Sequence, residues 1–317
     1  MAVERLWDGP RKTSLTSIMA NWLGDGSFLN TLFVSDLDGT LLTTEGTLSD
    51  FSRRTLQQLL REGLTFTVAT ARSVVAVRMI LDGITLKLPV IEFNGAFLSD
   101  LKTGRHEVVN HIERDLVQEL YHMVREAGFV PFISTFDGSA DCVYYNEIIN
   151  QGMAWYLNDR LSVGDRRWRR TSDLTESFGD DVVCFTVIGR PAPLSELRAA
   201  VEEAFGEKIK TQFFENHYSP GWYWLTVHDW RASKAHAIRT LRERYALNDA
   251  ELIVFGDHNN DIEMFQEADR AIAVANATDE LKAHATQVIG PNDEDSVVRY
   301  LLNYWKGGAA GATGTGG

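Results

Sequence analysis

From residue 31 onward the chain repeats two hydrophobic patterns in turn. Leu32, Phe33 and Val34 form an unbroken apolar run that stops at Asp36, and Gly39 gives the backbone freedom to turn sharply afterwards. This reads as a buried strand that delivers carboxylates into a loop. Across 49–62, Phe51, Leu56, Leu59 and Leu60 recur at helical spacing behind a cap at Ser49 or Asp50, and Gly63 ends the helix. A second apolar strand, 64–69, runs into Thr70-Ala71-Arg72-Ser73, a helix follows over 74–81, and a third strand, 89–93, ends in Asn94-Gly95. Strand, helix, strand, helix, strand is the rhythm of a doubly wound parallel sheet, so the predicted fold class is α/β. The rhythm returns late in the chain. There, 234–245 reads as a helix, 251–255 as a strand ending in Gly256-Asp257, 262–267 as a helix, 271–274 as a strand, and 276–284 and 296–304 as closing helices.

Between these halves the texture changes. Alternating segments at 142–145, 182–188 and 222–227 mix with helical stretches at 114–126 and 194–204, which predicts an α+β domain inserted into the parallel-sheet domain. The expected organisation is therefore an extension over 1–30, a core from 31–96 and 229–304, an insert over 97–228, and a flexible tail over 305–317 made mostly of Gly, Ala and Thr. Leu15, Met19 and Leu23 lie on one face of a possible short helix capped near Ser14, with no role assigned. No internal repeat is evident.

Composition narrows the function. At 317 residues and 44% hydrophobic content, two domains with separate cores are the default. A net charge of −13 argues against a nucleic-acid partner and, more weakly, against an anionic membrane surface. No run is long and apolar enough to span a membrane, and the start lacks the apolar stretch and cleavage site of a secretory signal. Cys142 and Cys184 are the two cysteines; they read as buried small apolar residues in a reducing compartment, so the expected location is cytoplasmic. Oligomeric state is left open.

The chemistry gathers at strand ends, where open α/β sheets place their sites. Asp36 and Asp38 bring no stability to an apolar strand, because carboxylates near a core are costly without a positive partner. Further along come Thr70-Ala71-Arg72, then Lys234 opening a helix, where a positive charge is unfavourable unless an anion is near, then Gly256-Asp257-His258-Asn259-Asn260-Asp261. Carboxylates, a hydroxyl, an amide and a lysine suit a divalent cation with oxygen ligands and a phosphoryl group held by hydrogen-bond donors.

In this order the four segments resemble the motifs of the haloacid dehalogenase-like hydrolase superfamily, and the long insert resembles the type C2 cap of its Cof-type sugar-phosphatase branch. Glu92-Phe93-Asn94-Gly95-Ala96 and Ala273-Val274-Ala275-Asn276-Ala277 are also family-like. The resemblance, covering roughly 31–304, implies a Rossmann-like core and Mg²⁺-dependent hydrolysis of a small phosphorylated metabolite, expected to be a sugar phosphate. It implies that Asp36 attacks phosphorus and becomes an aspartyl phosphate, and that Asp38 moves protons. Thr70, the Ala71 amide, Lys234 and Asn260 would hold the phosphoryl oxygens, and Arg72 and Asn94 would contact substrate. Mg²⁺ would be bound by the Asp36 carboxylate, the Asp38 main-chain carbonyl and Asp257, with Asp261 supporting the site. Asp38 separates this chain from transport ATPases, which carry Thr there, and from dehalogenases, which lack the second acid. Two departures stand out: Ala71 replaces the usual glycine of the second motif, and Asp295-Ser296-Val297 stands where the family often has Asp-Gly-Val.

Other features invite blander readings. His258 reads as a solvent-facing loop residue. Trp222, Tyr223 and Trp224 read as insert core ahead of a sugar-stacking platform, and the basic run at 165–170 as a solvated loop ahead of a trap for anionic substrate. A sugar phosphomutase and a catalytically idle sugar-phosphate-binding regulatory protein remain the alternative functions.

Overall fold

The structure is a computed structural model that describes residues 30–216 and 219–312. The suggested helix face of Leu15, Met19 and Leu23 lies outside the described residues. The first half follows the periodicity: β1 (Thr31–Ser35), α1 (Asp50–Glu62), β2 (Phe66–Val68), α2 (Val74–Ile80) and β3 (Val90–Glu92). Ser49 caps α1 by accepting a hydrogen bond from the Ser52 amide, and Leu56, Leu59 and Leu60 turn its apolar face into the core. An antiparallel hairpin, β4 (Phe97–Ser99) and β5 (His106–Val109), then continues from β3.

The insert follows as α3 (Arg114–Glu126), β6 (Phe132–Phe136), β7 (Asp141–Tyr145), α4 (Gln151–Ser162), β8 (Trp168–Arg170), β9 (Asp181–Gly189), α5 (Pro191–Phe205), β10 (Ile209–Glu215) and β11 (Tyr223–Asp229). Its strands form one sheet in the order β10-β11-β9-β6-β7-β8, antiparallel except for the β7–β8 pair. This sheet has its own apolar core, which includes Trp224, Leu225, Phe185 and Val201. Trp224 meets Trp155 and Tyr156 edge-on, so it is core as expected, while Trp222 lies under the Arg190 guanidinium. The run at 165–170 keeps Arg166, Arg169 and Arg170 exposed, as a solvated segment should, but it is not a loop throughout. Asp165 accepts hydrogen bonds from the Arg167 amide and guanidinium and from the Trp168 indole, and Trp168 packs on Phe132, so the basic run becomes a locked turn and the edge strand β8.

The last part returns to the first sheet with α6 (Lys234–Arg244), β12 (Glu251–Gly256), α7 (Ile262–Glu267), β13 (Arg270–Ala273), α8 (Asp279–Lys282), β14 (Gln287–Val288) and α9 (Ser296–Ala312). The order β14-β13-β12-β1-β2 is parallel throughout, and a parallel bridge from Ala69 to Ile91 carries the sheet on to β3. This is the doubly wound α/β sheet that the alternation predicts, with Leu32, Val34, Ile253 and Phe255 buried at its centre. Two boundaries differ. The helix expected over 276–284 shrinks to α8, because Thr278 caps it by accepting from the Leu281 amide and the preceding residues form a turn. The helix expected over 296–304 runs on to Ala312, so residues 305–312 of the expected flexible tail are helical, with Trp305 packed against the core. Among the described residues no helix is long and apolar enough to cross a membrane.

Candidate active site

Sheet register decides where the site forms. Ser35 lies opposite both Val68 and Phe255, so three strands end together and release Asp36, Thr70 and Asp257 at one edge. The Asp36 amide donates to the Phe255 carbonyl at 3.0 Å, which fixes the acid at the end of β1. A wide turn, Leu37–Leu41, then folds back with Gly39 at φ +70°. A Cβ at Gly39 would lie 2.3 Å from Asp257 Oδ2, so only glycine lets this turn press against Asp257. Thr40 donates to Asp257 Oδ1 at 3.0 Å, and Asn276 donates to the Gly39 carbonyl at 2.7 Å, tying the turn down.

Lys234, the first residue of α6, reaches this edge with its ammonium fully buried. It donates to Asp36 Oδ1 and to Asp261 Oδ1, each at 2.7 Å. The other Asp261 oxygen accepts the amides of Asp257 at 3.1 Å and His258 at 3.2 Å. One carboxylate oxygen from each of Asp36, Asp257 and Asp261 lies within 4.8 Å of the others. Burial pushes the Asp36 carboxyl well above its ordinary range; Lys234 pulls it down, and Asp261 and Asp257 push it up again. Asp257 is raised by burial and by Asp261. Burial works against the Lys234 charge, but Asp261 and Asp36 outweigh it and hold the ammonium protonated.

Three clustered carboxylates face one ammonium, which leaves negative charge uncompensated in a poorly solvated place. Hard oxygen donors, net negative charge and the close approach at Gly39 fit a small divalent cation. The Asp38 carboxylate stands apart from this group. It is held by Arg72 in a two-pronged pair, Nε to Oδ2 at 2.7 Å and Nη2 to Oδ1 at 2.6 Å, and both side chains are partly exposed.

Thr70 is buried, and its hydroxyl accepts the Arg72 amide at 3.1 Å; Ala71 beside it is exposed. Asn94 is buried, accepts from Asn260 Nδ2 at 3.1 Å, and donates to Gln212 Oε1 at 2.9 Å. His258 is exposed, in keeping with its reading as a loop residue. Gln212 on β10, with Lys210 paired to Glu263 on α7, had no signal in the sequence. Its arrival at the site depends on how the insert folds back on the core.

The model of the haloacid dehalogenase-like hydrolase family matches residues 33–301. The chain belongs to this family. Among its relatives, the 5-amino-6-(5-phospho-D-ribitylamino)uracil phosphatase YitU of Bacillus subtilis is 25% identical over 278 residues, covering 86% of this chain and 97% of that protein. The crystal structure of TM0651 from Thermotoga maritima superposes with a TM-score of 0.70 at 27% identity, covering 86% of this chain and 97% of the other. The subclass IIB sugar phosphatase BT4131 shares the fold, with a TM-score of 0.68 at 19% identity over 86% of this chain and 98% of its own. This haloacid dehalogenase-like hydrolase is thus an enzyme of the phosphatase class, acting on a phosphorylated metabolite, with the α/β core and inserted cap of its relatives.

Proposed function

We propose that this haloacid dehalogenase-like phosphatase is Mg²⁺-dependent and releases phosphate from a small sugar phosphate through an aspartyl-phosphate intermediate. The observation that carries this reading is the buried junction of Asp36, Asp257 and Asp261 around Lys234 at the end of the parallel sheet. In this reading Asp36, Asp257 and the Asp38 main-chain carbonyl hold the cation, with Asp261 placing Lys234 and the Asp257 loop. When bound, Mg²⁺ neutralises charge on the transferring phosphoryl group.

The protein's own groups carry the chemistry. An Asp36 oxygen bonds to phosphorus as the bond from phosphorus to the leaving oxygen breaks, and Asp38 hands that oxygen a proton. Asp38 then takes a proton from water, which attacks the aspartyl phosphate, frees phosphate and regenerates the Asp36 carboxylate. Both Asp38 oxygens are engaged by the Arg72 guanidinium, so in this reading Asp38 parts from Arg72 to reach the leaving oxygen. Thr70, the Ala71 amide, Lys234 and Asn260 surround the phosphoryl oxygens, while Arg72 and Asn94 face the substrate. The core of this reading spans 31–96 and 229–304, and the cap over 97–228 closes on it to exclude water. Two free, buried cysteines suit a reducing cytoplasm.

The test is phosphate release from 4-nitrophenyl phosphate and from a panel of sugar phosphates, with and without Mg²⁺. Asp36→Asn is expected to lower release by at least about 10³-fold with an unchanged circular dichroism spectrum. Turnover retained by this variant overturns the mechanism. Isomerised sugar phosphate without free phosphate would instead identify a mutase, and sugar-phosphate binding without release a regulatory protein.

A further inference from the structure

The turn between β3 and β4 holds an unusual backbone. Phe93, Asn94 and Gly95 all have positive φ, at +47°, +53° and +103°. Two of these are side-chain-bearing residues in the left-handed region, a costly arrangement that persists only where surroundings enforce it. Here the Asn94 amide donates to the Thr70 carbonyl at 2.9 Å and the Phe93 amide to the Arg72 carbonyl at 3.1 Å. The turn therefore rides on the loop that begins at Thr70, and it aims the Asn94 side chain between core and cap. Asn260 donates to Asn94, and Asn94 donates to Gln212, so three amides run in series from the catalytic edge to cap strand β10.

The cap face at the end of that series is polar and incompletely satisfied. Gln212 pairs across the sheet with Thr226, which pairs in turn with Thr186, so the three side chains share one face. The Thr226 hydroxyl is buried without a hydrogen-bond partner among the described residues. Gln212 spends its carbonyl on Asn94, and its two amide hydrogens have no partner among the described residues. Two positions along the same strand, Lys210 pairs with Glu263, which holds this end of β10 against the core beside Asn260. A buried hydroxyl and an amide with spare donors match a ligand that both donates and accepts at several points.

We propose that Gln212 is the specificity-determining residue of this enzyme, reading hydroxyl groups on a polyhydroxylated leaving group, with Thr226 as its neighbour on the cap face. The inference rests on the phosphatase reading above. A substrate hydroxyl takes the place of the Asn94 amide on Gln212, and Asn94, held by its turn, is left to face the same substrate. An apolar leaving group cannot make that exchange and leaves the Gln212 amide and the Thr226 hydroxyl unmatched.

The test compares kcat/KM for ribose 5-phosphate, sorbitol 6-phosphate and 4-nitrophenyl phosphate, using full-length enzyme with Mg²⁺. Gln212→Leu is expected to lower the ratio of the better sugar or polyol phosphate to the aryl phosphate by about 10-fold, mainly through KM. Thr226→Val, nearly isosteric, is expected to lower the same ratio, and aryl phosphate turnover by each variant reports that it folds. An equal fall for both kinds of substrate in the two variants, or an unchanged ratio, overturns the inference and leaves the phosphatase reading standing. So does wild-type enzyme that hydrolyses the aryl phosphate but neither hydroxylated one. No release from any of the three by wild type overturns the phosphatase reading, and this inference with it.

Discussion

A single methyl group separates two kinds of constraint at this site. At Gly39 an added Cβ meets the Asp257 carboxylate, the end of a side chain that can swing aside. At Gly95 it would come 2.4 Å from the Ser233 carbonyl oxygen and 3.0 Å from the Ser233 nitrogen, and that backbone cannot move without moving Lys234. Both residues have positive φ, so alanine also carries a conformational cost at each. Gly95→Ala is expected to destabilise the fold by about 2 kcal/mol or more in urea unfolding. Gly39→Ala is expected to cost about 1 kcal/mol while disturbing Asp257 enough to weaken Mg²⁺ activation at least 10-fold. Equal stability losses in the two variants would refute the distinction. Asp36, Thr70, Lys234 and Asp257 were legible from sequence because each lies at an element end whose position local patterning fixes. The pairing of Asp38 with Arg72 was not, since the path of two loops decides it.

Among elements, a buried histidine bridges the seam between the β4–β5 hairpin and the cap sheet. His106 on β5 meets Asp141 on β7 through Nε2 at 2.7 Å and the Ser99 hydroxyl through Nδ1 at 2.6 Å. The Ser99 hydroxyl donates onward to Glu92, which also accepts the Val74 amide at the start of α2. Only the imidazolium donates from both ring nitrogens, so charging His106 completes this chain. Burial opposes the charge, but hydrogen bonds to Asp141 and Glu92 outweigh it and raise the pKa from 6.5 to about 9. The folded form therefore holds the proton more tightly than the unfolded chain. The added stability is complete below about pH 6.5 and disappears as pH rises through about 9. Its ceiling is on the order of 3 kcal/mol. His106→Gln is expected to remove most of that pH dependence: wild type minus variant in urea unfolding should shrink by about 2 kcal/mol from pH 6.5 to pH 9.5. A difference constant with pH would show that His106 acts by packing on Phe97 alone. Sequence periodicity found α3 and β9, whose apolar patterns are strong, but missed α4, which buries only Gly152 and Met153, and β10, which is an edge strand of mixed polarity. Gln212 was illegible for the same reason: nothing near it in sequence tells which way β10 faces.

For the molecule as a whole, the carboxylate cluster sets a conflict between stability and function. The chain carries a net charge of −13, and Asp36, Asp257 and Asp261 concentrate part of it where water screens little. Burial first, and then the mutual repulsion that Lys234 only partly offsets, raises both Asp36 and Asp257. A cation that binds the folded form alone stabilises it by mass action, about 2.7 kcal/mol at one hundred times its Kd. Salt also screens the general surface charge, so a rise in Tm with Mg²⁺ has meaning only against potassium chloride of matched ionic strength. With that control, Mg²⁺ is expected to raise the Tm of the wild type by several degrees more than potassium does. Asp257→Asn keeps an oxygen to accept from Thr40 but removes one of the crowded charges. It is expected to abolish the Mg²⁺-specific rise without lowering the Tm of the metal-free protein. Scanning calorimetry decides both points, and a Mg²⁺ shift that survives in Asp257→Asn would place the stabilising cation elsewhere on the molecule.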